Sequence, residues 1–237
     1  MFCLSQKKSF ILSPAYAAEP SPPLALPFTN LIYRTMYMRL LELFSGTHSV
    51  GKVAKELGYS VLSLDRDMPS DLNLDILDWD YREFPIGYFD VIWASPPCET
   101  FSYLRCSNIG RNGYTRESLE EDITERGVPI LRRAEEIIDY FKPPLWFIEN
   151  PQTGRMKDYI TDRPYYDVDY CRYCDWGVRK RTRIWTNKED FTPLLCNREC
   201  GYIENGRHIM QVNSRGGGSD RRLRYRIPPE LIRQLIN

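Results

Sequence analysis

The chain has 237 residues, 42% of them hydrophobic, which suits one ordinary domain with a full core and a modest appendage. Lysine plus arginine equals aspartate plus glutamate at 32 each, so the net charge does not indicate an acidic partner, and only local clusters can. The seven cysteines lack the dense spacing of a small secreted scaffold, which favours a reduced, intracellular chain. No stretch approaches the length needed to cross a bilayer, which argues against an integral membrane protein.

Residues 1–35 differ in composition from the rest of the chain and show no helical or strand period. Small residues there surround a series of prolines, at Pro14, Pro20, Pro22, Pro23 and Pro27. We predict that this extension is disordered or not native, because Met36 and Met38 immediately precede the first predicted strand. A brief apolar patch resembles a secretory signal, but Pro14 breaks it, and we assign the extension no function.

A strand, a turn of small residues and a helix follow the extension. Residues 39–44 form an apolar run typical of a buried strand, residues 45–51 form the turn, and an apolar period predicts a helix that stops at Gly58. Because Gly46 has no side chain, a ligand can closely approach the backbone and the helix N-terminus. Alone, this signal is weak.

Acidic residues end the next two predicted strands. Residues 60–64 lead into Asp65, about 20 residues after the turn, where a nucleotide-type site needs an acid for two ribose hydroxyls. Residues 71–76 are predicted to form a third strand that ends near Asp75, and Asp75 with Ile76 can bind an adenine ring. Solvated turn residues are the alternative at both places.

The strongest chemical signal lies in residues 90–102. Val91–Ala94 is a short apolar run typical of a buried strand, and Pro96-Pro97 then places Cys98 in a loop. Ligands bind at the carboxyl ends of strands in open α/β sheets, so Cys98 is a candidate nucleophile. A buried structural cysteine is the alternative, because most free cysteines are of that kind.

Two connecting segments follow this loop. Residues 105–126 are polar and turn-rich, which suggests a mobile segment over the site, either a lid or only a loop. An amphipathic helix that covers the sheet is then predicted from the apolar spacing of Ile130, Leu131, Ala134, Ile137, Ile138 and Phe141.

Glu149 follows another short apolar strand, Leu145–Ile148. If this strand and Val91–Ala94 are neighbours in a parallel sheet, Cys98 and Glu149 emerge at the same edge and face one substrate. A thiolate adds to an electron-poor ring only if the charge pushed into the ring is neutralised, and a carboxylic acid bonded to a ring nitrogen does this. Taken alone, Glu149 is more typical of a helix cap or a surface acid.

Basic residues cluster in Arg179–Arg183 and again in a tail that contains Arg215, Arg221, Arg222, Arg224, Arg226 and Arg233. We expect phosphate contacts from both clusters and therefore salt-dependent binding. A solvated surface is the alternative. A small basic, cysteine-containing insertion is predicted at about 186–215, where a zinc ion would replace a core. The possible ligands are Cys171, Cys174, Cys196 and Cys200, with His208 downstream; reduced surface cysteines are the alternative.

The order of these motifs resembles that of the cytosine-5 DNA methyltransferases, from Arg39 to Trp185. The matching segments are Phe44-Ser45-Gly46 for the cofactor loop, Pro96-Pro97-Cys98 with Phe101-Ser102 for the nucleophile loop, Glu149-Asn150 for the acid loop, and Arg181-x-Arg183 for the paired-arginine strand. Methyltransferases directed at exocyclic amines carry an aromatic residue in place of Cys98, so the thiol indicates attack at a ring carbon.

The resemblance implies a Rossmann-like, S-adenosylmethionine-dependent α/β fold over residues 36–237, with a seven-stranded, mostly parallel sheet and flanking helices. It implies methyl transfer to carbon 5 of a cytosine that is flipped out of DNA. The expected location is intracellular, in the cytoplasm, nucleoid or nucleus, or in a virus-infected host cell.

The resemblance also implies roles for individual residues. Cys98 adds to carbon 6, Glu149 stabilises the ring at nitrogen 3, Arg183 points to the base and phosphate region, and Arg181 is more structural. The implied cofactor residues are Phe44, Gly46, Thr47, His48, Ser49, Asp65, Asp75, Ile76 and Pro96. The implied nucleic-acid contacts are Ser102, Arg105, Arg179, Lys180, Arg221 and Arg222.

The chain departs from the family pattern in several places. His48 and Ser49 replace common glycines, Pro151 replaces a valine, and Gly177-Val178-Arg179 replaces Gly-Val-Pro-Gln. No large target-recognition domain follows Trp185, and the ending resembles compact phage and large-virus members. We therefore expect slight sequence selectivity, or recognition supplied by a partner protein.

Two other functions fit the same residues. An RNA cytosine-5 methyltransferase is one, because the catalytic loops do not distinguish the sugar. A catalytically inactive protein that binds S-adenosylmethionine or nucleic acid is the other, and the intact pair of Cys98 and Glu149 argues against it.

Overall fold

The computed structural model describes residues 38–111, 113–210 and 225–237. The predicted N-terminal extension, residues 1–35, lies outside the described residues. So do the end of the predicted insertion, residues 211–215, and the tail residues Arg215, Arg221, Arg222 and Arg224.

A six-stranded sheet forms the centre of the described domain. Its strands are β1 (Arg39–Leu43), β2 (Ser60–Leu64), β3 (Val91–Ala94), β4 (Leu145–Pro151), β5 (Tyr165–Asp169) and β6 (Arg181–Thr186). Their order in space is β2-β1-β3-β4-β6-β5. The first four pair in parallel, whereas β6 runs antiparallel to both β4 and β5. This arrangement confirms the predicted Rossmann-like α/β class and corrects the strand count from seven to six.

The missing strand is the one predicted over residues 71–76. Leu72 joins β2 through an isolated bridge to Leu64. Next to it, the Asp71 carboxylate accepts hydrogen bonds from the backbone N–H and the hydroxyl of Ser63, at 2.9 and 2.6 Å. A side chain thus takes the place of the backbone ladder, and the prediction of a strand here was wrong.

Helices pack on both faces of the sheet. They are α1 (Ser49–Glu56), α2 (Arg116–Asp122), α3 (Val128–Phe141) and α4 (Pro229–Ile236). A π-helical turn, Ile123–Gly127, joins α2 to α3, and 3₁₀ turns occupy Tyr81–Glu83, Tyr103–Asn108, Met156–Asp158 and Tyr170–Arg172. None of the described helices is long and apolar enough to cross a membrane.

Helix α2 occupies part of the segment 105–126, which was predicted to be a lid or a loop. The Thr115 side chain accepts the N–H of Ser118, and the Ser118 hydroxyl accepts the N–H of Thr115, at 3.1 and 3.0 Å. Such a capping box stabilises a helix start by about 1 kcal/mol. Leu119 and Ile123 are buried, but two apolar positions are too few to reveal a helical period in the sequence.

The central strands are buried on both faces. Leu41 and Ile92 pack against α3, whose predicted apolar stripe is confirmed, while Leu40 and Trp93 pack against α1 and α4. Burial on both sides is typical of parallel sheets and holds the strands in register. The loops that leave their carboxyl ends therefore meet at one edge.

A second, two-stranded sheet lies between residues 187 and 210. Strands β7 (Ile203–Glu204) and β8 (Arg207–His208) are antiparallel. Asn205 and Gly206 join them with φ of 49° and 74°, as a tight two-residue hairpin turn requires.

Candidate active site

A large cavity opens where the loops leave the carboxyl ends of the parallel strands. Its volume is about 1560 Å³. Typical small-molecule sites measure roughly 300–1000 Å³, so this one has room for a cofactor and a nucleotide together. The predicted site residues that line it are Phe44, Gly46, Ser49, Asp65, Asp75, Ile76, Pro96, Cys98, Ser102, Glu149, Arg179, Lys180 and Arg181.

The turn after β1 bends sharply. Phe44, Gly46 and His48 have φ of 60°, 49° and 56°. Glycine adopts such angles easily, whereas Phe44 and His48 lie in a region that other residues rarely occupy. Strain of this kind concentrates at ligand sites, and here it brings Gly46 and Ser49 to the cavity wall at the start of α1.

The Asp65 carboxylate ties two loops together. Its Oδ2 accepts the N–H of Gly46 at 2.8 Å, and its Oδ1 accepts the N–H groups of Asp67 and Met68 at 2.9 and 2.8 Å. A carboxylate offers about four lone-pair sites, so these three bonds leave capacity for a ribose hydroxyl. Asp65 therefore both shapes the site and faces it.

The structure does not bring Thr47 and His48 to the cavity wall. Thr47 Oγ1 lies 2.9 Å from Ser49 Oγ, and His48 Nε2 lies 2.7 Å from the carbonyl oxygen of Pro69. His48 Nδ1 lies 3.7 Å from the buried carboxylate of Glu42, which raises the pKa of His48. Both side chains hold the turn in shape instead of reaching a ligand.

Asp75 and Ile76 reach the cavity although their segment is not a strand. Ile76 is buried, and Asp75 Oδ2 accepts a hydrogen bond from Arg66 Nη1 at 3.1 Å. An apolar surface thus lies next to a carboxylate that Arg66 partly occupies.

The loop that carries Cys98 is fixed by neighbouring segments. Asn150 Nδ2 donates to the carbonyl of Pro96 at 2.9 Å, and the N–H of Arg155 donates to the carbonyl of Phe101 at 2.8 Å. The Phe101 ring also packs closely on Gly127, where an added Cβ would lie 2.9 Å from the ring. These contacts hold the thiol in one place at the cavity wall.

Opposing effects act on the Cys98 thiol, which is partly buried. Burial raises the pKa of Cys98, and the carboxylates of Glu149 and Glu99 raise it further, whereas the Lys180 cation lowers it. Lys180 is therefore the cavity residue that favours the thiolate, a role for which the sequence offered no separate signal.

Glu149 is 5% exposed and lies within β4 instead of after it. The parallel strand β3 ends at Ala94, whereas the antiparallel strand β6 extends the pairing of β4 to Pro151. Glu149 Oε1 accepts a hydrogen bond from Tyr170 Oη at 3.0 Å and another from Lys180 Nζ at 3.4 Å. The pairing of β3 with β4 confirms the prediction that these strands are neighbours.

The two arginines of β6 have different positions. Arg181 lines the cavity and binds the Asp169 carboxylate at 3.0 and 2.6 Å. Arg183 binds Asp167 at 2.8 and 2.9 Å, stacks over the Tyr165 ring at 3.6 Å and does not line the cavity. The expectation that Arg183 faces the base disagrees with this placement, because the antiparallel partner β5 engages its guanidinium.

The outer wall of the cavity is basic. Ser102 contributes to the wall as predicted, but Arg105 pairs with Asp122 of α2 and lies outside it. The exposed guanidinium groups on the wall are those of Arg179, Arg198 and Arg207. The last two were missed because each stands isolated in the sequence.

Four potential metal ligands converge beside this wall. Their ligand atoms all lie within 4.8 Å of one another, and the residues are Cys171, Cys196, Cys200 and His208. Cys174, which was predicted as a ligand, instead donates its S–H to the carbonyl of Tyr170 at 3.1 Å. His208 takes its place, and three thiols with an imidazole are a donor set that suits zinc.

Solved structures show weak similarity to this chain. Spodoptera frugiperda DNMT2, as an E260A/E261A/K263A mutant, has a TM-score of 0.42 and 15% identity over 66% of this chain and 53% of its own. The Entamoeba histolytica methyltransferase EhMeth has a TM-score of 0.40 and 13% identity over 63% and 52%. The present chain thus spans about half the length of each.

No family model matches the sequence. A curated relative does: the probable DNA (cytosine-5)-methyltransferase of frog virus 3 (isolate Goorha) is 50% identical over 213 residues, which cover 84% of this chain and 99% of the relative. Identity at this level over nearly the whole relative leads to one conclusion, that the chain belongs to the cytosine-5 methyltransferase family.

Proposed function

We propose that this protein methylates carbon 5 of cytosine in DNA, with S-adenosylmethionine as the methyl donor and Cys98 as a covalent nucleophile. One observation carries the proposal: Cys98 and Glu149 follow or belong to neighbouring parallel strands and line the same cavity as the loops after β1 and β2. The name of the viral relative supports DNA as the substrate.

The residues around the first two loops fit the cofactor. Gly46 allows close approach to its backbone, Asp65 keeps an acceptor for a ribose hydroxyl, and Ile76 offers an apolar surface to an adenine ring beside Asp75. Bound S-adenosylmethionine supplies an electrophilic methyl group.

The reaction begins with a cytosine that has left the base stack, because a stacked base cannot reach Cys98. The Cys98 thiolate forms a bond to carbon 6, and the electron pair of the 5,6 double bond moves to carbon 5. Glu149 bonds nitrogen 3 and shares a proton with it, so that the charge pushed into the ring is neutralised.

Carbon 5 then uses its electron pair to take the methyl group. A base removes the proton from carbon 5, the double bond forms again, and the bond between sulfur and carbon 6 breaks. Lys180 stabilises the thiolate both before attack and after release, because its cation lowers the pKa of Cys98.

The test is transfer of labelled methyl groups to DNA and to RNA of matched sequence, by the wild type and by Cys98→Ser. Duplex DNA that contains 5-fluorocytosine is added as a trap, because fluorine at carbon 5 prevents the final elimination. Cys106→Ser is the matched control, since Cys106 is exposed and lies outside the cavity wall.

We expect the wild type and Cys106→Ser to methylate DNA and to form a covalent complex with the trap, and Cys98→Ser to do neither. Methylation of RNA alone would replace DNA by RNA as the substrate. Full activity of Cys98→Ser would refute the nucleophile, and binding of S-adenosylmethionine without transfer to either nucleic acid would refute the enzyme.

A further inference from the structure

The segment of residues 191–210 has almost no core of its own. All of these residues are described, and Cys196 is the only buried one among them. Leu195, Ile209 and Met210 are exposed, at 44%, 49% and 38% of their surface. A segment that buries so little apolar surface needs another tie to hold one conformation.

We propose that Cys171, Cys196, Cys200 and His208 bind one structural zinc ion that ties this segment to the end of β5. His208 Nε2 lies 3.4 Å from Cys196 Sγ and 3.3 Å from Cys200 Sγ. Zn–S bonds of about 2.3 Å and Zn–N bonds of about 2.0–2.1 Å in a tetrahedron require S···N distances of about 3.6 Å. The side chains are therefore close to a tetrahedral set.

The backbone positions each ligand independently of any metal. Cys171 lies in the 3₁₀ turn directly after β5, and the N–H of Cys196 donates to Asp169 Oδ2 at 2.7 Å. The tight hairpin turn at Asn205-Gly206 then returns His208 towards Cys200. Three separate parts of the fold thus deliver four ligands to one point.

The surroundings of the sulfur atoms also suit a metal. Backbone N–H groups of Arg198 and Cys200 face the Cys196 sulfur, as outer-shell donors do at structural metal sites. A disulfide between any two of the three cysteines would leave the third thiol and His208 without a common role. A zinc ion uses all four.

The zinc site also bears on the substrate wall. The N–H of Met210 donates to the carbonyl of Gly177 at 3.2 Å, and Gly206, Arg207, His208 and Met210 line the cavity with Arg198. A metal at this point would hold Arg198 and Arg207 beside Arg179. If the proposed function holds, these three cations face the phosphates of the nucleic acid.

The direct test is the zinc content of the purified full-length protein, measured by mass spectrometry after preparation without chelators. We expect about one equivalent in the wild type and in Cys174→Ser, and strong loss in Cys200→Ser and His208→Ala. Cys174→Ser is the matched control, because Cys174 is also partly buried and only three residues from Cys171. His208→Cys should keep the metal, since four thiolates also bind zinc.

Two results would overturn the site. One is less than about a tenth of an equivalent in the wild type, where a structural site requires about one. The other is loss of zinc from Cys174→Ser equal to that from Cys200→Ser. Because a variant can fail to fold, cobalt is added to wild-type protein stripped of metal: thiolate-to-cobalt absorption supports the site, and its absence refutes it.

The effect on the substrate wall rests on the proposed function and has its own readout. Removal of zinc should weaken DNA binding and lower the slope of log K against log salt by up to about 2.7, or about 0.9 for each lost phosphate contact. Affinity for S-adenosylmethionine should stay unchanged. An unchanged salt slope in metal-free protein would refute the role in the wall while leaving the zinc content to decide the site.

Discussion

Lys180 Nζ lies 3.4 Å from Glu149 Oε1 and 4.9 Å from the centroid of the Tyr170 ring, whose hydroxyl donates to the same carboxylate oxygen. Lys180 also lowers the pKa of Cys98. One cation therefore acts on both the nucleophile and the acid. It stands next to Arg181, on the strand for which the family resemblance pointed to Arg183.

Replacing Lys180 by glutamine should move the pH profile of methyl transfer to higher pH. The reaction requires the thiolate, so its rate rises with pH through the pKa of Cys98, which burial already raises. Loss of the lysine removes the opposing effect, and each unit of further rise costs about tenfold in thiolate below the pKa. The measurement is single-turnover rate against pH.

Lys188→Gln is the control for this change, because Lys188 donates to the carbonyl of Asn237 and lies outside the cavity wall. Its profile should match that of the wild type. An unshifted profile for Lys180→Gln would show that the thiol does not depend on this cation.

Glu149→Gln should lower the rate of methyl transfer by roughly 10²–10⁴-fold, the usual contribution of a positioned acid or base. Glutamine keeps the size of the side chain and can bond Tyr170, but it cannot share a proton with nitrogen 3. Single-turnover kinetics at saturating DNA and cofactor measure the change.

Glu99→Gln tests whether any nearby carboxylate would serve. Glu99 lines the cavity beside Cys98 but is exposed. We expect a small effect, and even a modest gain at neutral pH, because its charge raises the pKa of Cys98. A loss as large as that of Glu149→Gln would remove the special role of Glu149.

Much of the parallel half of the site was predictable from local sequence. Residues 60–64 and Val91–Ala94 are strands as expected, and Asp65 and Cys98 directly follow or lie near their ends. Such positions follow from short apolar runs and from prolines that stop them, so they need no knowledge of distant contacts.

The antiparallel half depends on contacts that no local pattern reveals. Strand β6 inserts between β4 and β5, and this long-range pairing places Lys180 against Glu149 and Arg183 against Asp167. The hairpin that delivers His208 had a visible Asn-Gly signal, but the identity of its metal partners did not follow from it. Spacing favoured Cys174 because two cysteines three apart resemble a zinc motif.

Asp65→Asn should weaken binding of S-adenosylmethionine. Hydrogen bonds to charged groups contribute about 1.5–3 kcal/mol, which corresponds to roughly 10- to 150-fold in Kd. Titration calorimetry measures the affinity, and Asp67→Asn, whose carboxylate is exposed and pairs with Arg66, is the control. Equal losses in both variants would mean that the charge of the loop matters and not the ribose contact.

Arg183→Met should destabilise the fold and leave catalysis by the folded enzyme nearly unchanged. The side chains of Arg183 and Asp167 are 12% and 24% exposed. Loss of one partner should therefore cost about 1–3 kcal/mol, between the values for exposed and fully buried pairs. Urea unfolding measures the loss, and kcat/KM per active site, from titration with the 5-fluorocytosine trap, measures catalysis.

The double variant Arg183→Met with Asp167→Leu separates stability from chemistry. Because it leaves no unpaired charge beside β5, it should recover much of the lost stability. A catalytic arginine would behave differently: the double variant would be stable, yet its kcat/KM would remain low by two orders of magnitude or more, roughly the loss seen when a transition-state hydrogen-bond donor is removed. That outcome would return Arg183 to the base, as the family pattern implies, and would mean that its pairing with Asp167 breaks when the substrate binds.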